Sequence, residues 1–186
     1  LAALANPLAA GAAPGEGLLL VCTHGRHDQC CAVRGRPVAA ALAEEWPAQT
    51  WECTHLGGDR FSANVAVMPD GVLYGYVSGE DAVALVRGHK AGRVDRDRIR
   101  GVIGWASHEQ AAIVAAADAL GTTPWDRDLT ITRRSAHEGW YVQIAHAGRH
   151  VDVHGRNVLS APARLTCSAP GPRSALVPVV DSVVPV

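Results

Sequence analysis

Between Cys22 and Asn64 the chain gathers most of the side chains able to do metal or thiol chemistry. The text reads VCTHGRHDQCCAVRGRP, then a run of helix formers, then WECTHLGGDRFSAN. Cys22, Cys30, Cys31 and Cys53 are four of the five cysteines, and His24, His27 and His55 are three of the nine histidines. Thiolate and imidazole are soft or borderline donors, so such a set selects zinc or an iron–sulfur cluster over a hard cation. An odd cysteine count with four close together suits metal ligation or thiol chemistry in a reducing compartment better than a secreted disulfide framework.

These groups need elements to bring them together. Leu18–Cys22 is a short apolar run with little alternation, the pattern of a buried strand. Pro37 stands where a helix would open, Val38 to Trp46 supplies helix formers, and Pro47 ends the run. Thr50 to Cys53 reads as a second strand, followed by a loop from His55 to Asp59. Cys22 and Cys53 thus close strands, Cys30 and Cys31 precede a helix, and His55 and Asp59 flank a Gly57-Gly58 turn. In an α/β layer, neighbouring strand ends and their loops converge on one edge, so all six groups could meet there. The glycine pair permits the tight path that brings positions 55 and 59 to one centre.

The remaining chain reads as scaffold. Asn64 to Met68 and Val72 to Val77 flank Pro69-Asp70-Gly71, a hairpin signal. Glu80 to Gly88 predicts a short helix, and the charge run Arg93 to Arg100 a solvated connector. Ser107 and Gln110 give a capping-box pattern before an Ala-rich helix ending at Gly121. Leu129 to Arg133, Trp140 to Ala145 and His150 to His154 predict a β-meander with turns at Glu138-Gly139 and Ala147-Gly148. From Pro162 the text is a Pro/Ser/Val-rich tail containing Cys167. Residues 1–17 are read as a linker or the tail of a preceding segment, 18–100 as the ligand-bearing domain and 101–186 as a C-terminal α+β extension.

With 186 residues, the chain can bury a core. A formal charge of −1 gives no global field favouring nucleic acid or an anionic membrane. Apolar runs stop short of the ~20 residues of a membrane span. The expectation is a cytoplasmic protein with neither nucleic acid nor membrane as partner.

The strings CTHGRHDQCC, GRPVAAALA and HLGGDRFSANVAVMPDGVLYG together resemble the sucrase/ferredoxin-like family, a branch of the thioredoxin-like [2Fe-2S] ferredoxins. The likeness covers residues 18 to 77 and continues more weakly to Arg164-Leu-Thr-Cys167. It implies a thioredoxin-like α/β domain, a [2Fe-2S] cluster and electron exchange with redox partner proteins, and it allows a homodimer. In that family two cysteines with eight residues between them and an H-x-x-x-H turn hold the cluster. Residue by residue, these positions fall on Cys22, Cys31, His55 and Asp59. Asp59 departs from the pattern, which has histidine there. An aspartate oxygen binds ferric iron and keeps the spacing; Cys53 is the rival fourth ligand, and a site without the cluster, zinc included, is the third reading. Replacing imidazole by carboxylate makes the site one charge more negative, so the expected potential lies below that of two-histidine relatives. A ligating His55 would couple at most one proton to the electron.

Cys30 is read as a thiol near the site rather than a ligand, because adjacent cysteines seldom aim both sulfurs at one metal. Cys167 reads as a core thiol. His24 and His27 are loop residues, and Arg26, Arg34, Arg36 and Arg60 offset charge or face an acidic partner. Ser62 and Asn64 satisfy backbone groups near the turn. His89, His108, His137, His146, His150 and His154 read as surface or strand residues. No phosphate-binding loop, nucleophile elbow or H-E-x-x-H occurs, nor a convergent carboxylate pair for glycoside hydrolysis. An electron carrier is therefore expected rather than an enzyme. Two competing functions stand: a thiol-dependent redox enzyme using Cys30 or Cys31, which lacks a C-x-x-C pair, and a structural zinc protein.

Overall fold

Among the described residues, apolar alternation and helix caps produce two sheets and three α-helices. The computed structural model describes residues 17–26, 28–135 and 139–186. The expected lead over 1–16, His27, His137 and the Glu138 half of a turn lie outside the described residues.

The first sheet is built from β1 (Leu18–Cys22), β2 (Thr50–Cys53), β3 (Val65–Met68), β4 (Val72–Tyr74) and β5 (Ile99–Val102), in the order β2-β1-β3-β4-β5. β1 and β2 run parallel, joined through α1 (Gln29–Glu45), while β3, β4 and β5 add antiparallel neighbours. Helix α2 (Ala82–Lys90) follows β4. A βαβ unit completed by an antiparallel hairpin and a helix is the thioredoxin-like arrangement, here with β5 as an extra edge. Leu19, Val21, Val65, Val67 and Val72 of the sheet pack against Val38, Leu42 and Val86 of the helices. At ~2 kcal/mol for each such side chain, this burial is what fixes the layer.

Helix α1 begins eight residues before Pro37, at Gln29, because Asp28 caps it: its carboxylate accepts from the Cys30 amide. Pro37 lies inside the helix, on a solvent-facing side it shares with exposed Val33, where water can replace the missing backbone bond. Gly35 faces the sheet, and a Cβ there would overlap the Cys22 carbonyl. The helix therefore lies directly on the end of β1.

The second sheet, in the order β6-β7-β8-β9, is antiparallel: β6 (Thr130–Ser135), β7 (Trp140–His146), β8 (Arg149–Leu159) and β9 (Leu176–Pro185). Helix α3 (Ser107–Leu120) packs on it through Ala112, Ile113, Ala116 and Leu120, against Trp140, Val142, Ile144 and Val153. Gly121, at φ 70°, ends α3. The N-cap is Ala106 rather than Ser107, and the bond made there is Glu109 accepting from the Ala106 amide at 2.9 Å. Trp105 packs against both cores. The expected α/β class, a thioredoxin-like sheet with a C-terminal α+β part, is what the chain adopts.

Three expectations are corrected. The tail contains β9, whose Pro178 and Pro185 are tolerated because the strand is a sheet edge. The charge run ends in β5, and Arg98 is paired with Asp81 at 2.7 Å and Asp95 at 3.0 Å. His89 is a core residue of α2, 3% exposed, held between the Tyr74 hydroxyl at 2.9 Å and Asp70 at 3.0 Å and stacked on Trp125. Burial pushes its pKa down, against the pull of Asp70. Among the described residues, no helix is long and apolar enough to cross a membrane.

Candidate metal centre

The parallel β1–β2 ladder places Cys22 opposite Cys53 at the sheet's carboxyl end. Cys31 sits in the first turn of α1, directly above that end, because Gly35 one turn on admits the helix to contact with the Cys22 backbone. Both thiols are buried, at 1% and 2% exposure. The Cys22 thiol donates to the Thr54 carbonyl at 3.4 Å, and the Cys31 thiol donates to Asp59 Oδ1 at 3.5 Å.

Asp59 opens a single 3₁₀ turn, Asp59–Phe61, immediately after Gly57 and Gly58. Both glycines have left-handed φ, 75° and 69°, and a Cβ on Gly58 would overlap the Arg100 guanidinium. The turn brings His55 Nδ1 to 3.6 Å from the same Asp59 Oδ1 that meets Cys31. Asp59 is buried, whereas the His55 side chain is half exposed.

The turn is held from outside the loop. Asn64, 1% exposed, donates to the Gly58 carbonyl at 3.1 Å and accepts from Arg100 at 2.9 Å. Arg100 also donates to the Gly57 carbonyl at 3.0 Å. The guanidiniums of Arg60 and Arg100 lie 4.5 and 4.6 Å from the Phe61 ring centroid. The role expected for Asn64 is thus the one it fills. Arg100 is a positioning residue that sequence reading missed, because the charge run around it reads as solvated. Ser62 differs from expectation: its carbonyl accepts from Arg34 at 3.3 Å, but its buried hydroxyl has no hydrogen-bond partner of normal geometry among the described residues.

Burial and crowding make this corner a poor place for bare thiolates. Burial first, then the neighbouring Cys22, then Asp59 push the Cys31 thiol up to about 12, with the Ser62 hydroxyl the one opposing influence. Cys53 is pushed up to about 11 by burial and by Cys22. Such values are the reverse of what a nucleophilic cysteine needs. A cation among the sulfurs would relieve the same repulsion and hold the thiolates ionised.

Cys30 points elsewhere. It forms a disulfide with Cys167, so the readings of Cys30 as a free thiol and Cys167 as a core thiol are both corrected. The reason is topological: the β8–β9 loop reaches back to the start of α1, a contact across 137 positions. Asp28, Cys30 and Cys167 form a group whose ligand atoms lie within 4.8 Å of one another, but its two sulfurs are bonded to each other. Arg26, Arg34 and Arg36 are exposed around the corner, and His24 is half-buried beside Arg26 and Cys53 in a shallow cavity.

Fold and donor set define the class: a thioredoxin-like sheet with cysteine, histidine and carboxylate donors at its carboxyl edge. The family profile for sucrase/ferredoxin-like proteins matches residues 4–101, more than half of the chain, and the chain belongs to that family. No curated protein matches it. Among solved structures it is similar to a thioredoxin-like [2Fe-2S] ferredoxin from Aquifex aeolicus, with 25% identity over 48% of this chain and 94% of that one, at a TM-score of 0.41. A cysteine-to-serine variant of that ferredoxin aligns at 27% identity over 45% of this chain and 96% of its own, at a TM-score of 0.40.

Proposed function

We propose that this chain is an electron-transfer protein that holds a [2Fe-2S] cluster through Cys22, Cys31, His55 and Asp59. The observation that carries the reading is Asp59 Oδ1, which lies 3.5 Å from Cys31 Sγ and 3.6 Å from His55 Nδ1. The one residue that departs from the family's two-histidine pattern thus sits among the other donors. The donors are linked in a chain, Cys22 to Cys31 to Asp59 to His55, which suits a two-iron group better than the closed shell around one zinc ion.

When bound, the cluster supplies one-electron chemistry. The chain's part is to bind and tune it. Cys22 and Cys31 bind as thiolates in a buried pocket that excludes water. Asp59 adds a negative charge where relatives have neutral imidazole, which lowers the potential. Ser62, whose buried hydroxyl lies beside Cys31, offers a hydrogen bond to sulfur, which raises it. Through the half-exposed His55 side chain, proton transfer would accompany the electron. Exposed Arg26, Arg34 and Arg36 would meet an acidic redox partner protein. The three free cysteines, Cys22, Cys31 and Cys53, suit a reducing, cytoplasmic setting, in which the Cys30–Cys167 disulfide would be a transient, exchanging bond.

The test is visible and EPR spectroscopy of anaerobically purified protein beside Asp59→Ala and Cys53→Ala. We expect a coloured protein with equal iron and labile sulfide, an altered spectrum in Asp59→Ala and an unaltered one in Cys53→Ala. A colourless protein containing zinc would overturn the reading. The opposite response of the two variants would move the fourth ligand to Cys53.

A further inference from the structure

The first turn of α1 presents two consecutive cysteines to different surroundings. Cys31 faces Cys22 and Asp59, while Cys30 is bonded to Cys167, their Cα atoms 5.9 Å apart. Cys167 is exposed, on a largely exposed loop between β8 and β9. Cys30 is 7% exposed. Asp28, 2% exposed, spans the two: one carboxylate oxygen accepts from the Cys30 amide at 3.2 Å, and the other accepts from the Cys167 amide at 2.7 Å. The docking of the loop therefore has a component that does not depend on the sulfur–sulfur bond.

We propose that Cys30–Cys167 is a second redox centre, a two-electron disulfide/dithiol couple that exchanges with dithiol reductants and fastens the β8–β9 loop to the start of α1. It uses residues outside the proposed cluster ligands, and its chemistry does not need a cluster. Exposure sets the direction of attack. A thiolate of the dithiol attacks Sγ of Cys167, the reachable sulfur. The Cys30–Cys167 bond breaks, and Cys30 Sγ leaves with the electron pair and takes up a proton. The reductant is then held to Cys167 as a mixed disulfide. Its second thiol, as thiolate, attacks its own bonded sulfur, and Cys167 leaves and is protonated in turn. The dithiol ends as a disulfide, having passed two electrons to the protein. Asp28 still holds the Cys167 amide afterwards, so the loop stays near Cys30 and the couple can close again.

The experiment uses the full chain, purified without reductant and equilibrated with dithiothreitol in its reduced and oxidised forms. Cysteines are then alkylated in acid-quenched denaturant and mapped by mass. We expect Cys30 and Cys167 to pass together from protected to labelled along a two-electron curve, while far-UV circular dichroism is unchanged. Amides of residues 160–175 should exchange hydrogen at least about tenfold faster once the bond is open. Asp28→Ala should make the bond about tenfold easier to reduce. In single variants treated with oxidised glutathione, Cys30→Ser should take glutathione on Cys167, while Cys167→Ser should leave Cys30 unmodified in the folded protein. Free Cys30 and Cys167 before any reductant, or a bond that opens only on unfolding, would overturn the proposal. Glutathione on Cys30 but not on Cys167 would overturn the direction of attack. An iron-free protein that still shows the couple would count against the cluster and not against this centre.

Discussion

Cys30 and Cys31 are chain neighbours with opposite surroundings. Around Cys31 the partners are close in fold, with Cys22, Asp59 and Asn64 buried: the end of β1, the start of α1, and a turn locked by Asn64 and Arg100. Around Cys30 the partner comes from the far end of the chain, on an exposed loop. A helix places successive side chains about 100° apart, so one turn can serve two sites that share no ligand. The first site depends on precise packing of a preformed corner, the second on a covalent link that closes a long loop.

Removing one sulfur at a time separates the two most sharply. Cys31→Ala is expected to reduce bound iron to background, read by visible absorption and metal analysis, whereas Cys30→Ala should retain it. Equal loss in both would merge the two sites into one. Stability should respond the other way. Cys167→Ser opens a ring spanning 137 positions and is expected to cost about 2–5 kcal/mol, seen as a lower urea midpoint. The reduced wild type should show the same fall.

Asn64→Ala tests the corner's support without touching a donor. It leaves the Gly58 carbonyl and Arg100 short of a buried partner, an expected cost of about 1–3 kcal/mol, with weaker iron retention and an unchanged disulfide. Raising the pH by a single unit, from about 8.5 to about 9.5, gives the smallest effect, about 1 kcal/mol. In metal-free protein the folded Cys31 thiol holds its proton to about 12, because burial, Cys22 and Asp59 disfavour its thiolate. The unfolded thiol releases its proton near pH 8.5. The folded state then binds more protons, so stability should fall as pH rises above about 8.5, by up to about 1.4 kcal/mol per pH unit. The metal-loaded protein should be flat over the same range, since its thiolates are already ionised. A metal-free protein equally flat in urea melts would remove the crowding argument.

Much of the corner was legible because its parts are local. Cys22 and Cys53 each end an apolar strand, and the Gly57-Gly58 pair marks the turn between His55 and Asp59. Pairing of the first two strands as a βαβ unit then follows from short connections. What misled was also local. Pro37 looked like a helix start, although Asp28 was present nine residues earlier with the chemistry to cap. The prolines of β9 looked like a tail, since a sequence does not say which strand will be an edge. Arg100 was hidden in a run of charges whose other members do face water or pair with carboxylates.

By itself, then, the sequence determined the strand ends and the turn around the corner and which side chains each carries, because those features are set by neighbouring residues. Only the tertiary structure decided that Cys30 belongs to Cys167 and that Arg100 belongs to the Gly57-Gly58 turn. Those contacts join segments separated by more than forty residues: β5 must join the first sheet before Arg100 reaches Gly57, and the β8–β9 loop must fold back onto α1 before Cys167 reaches Cys30.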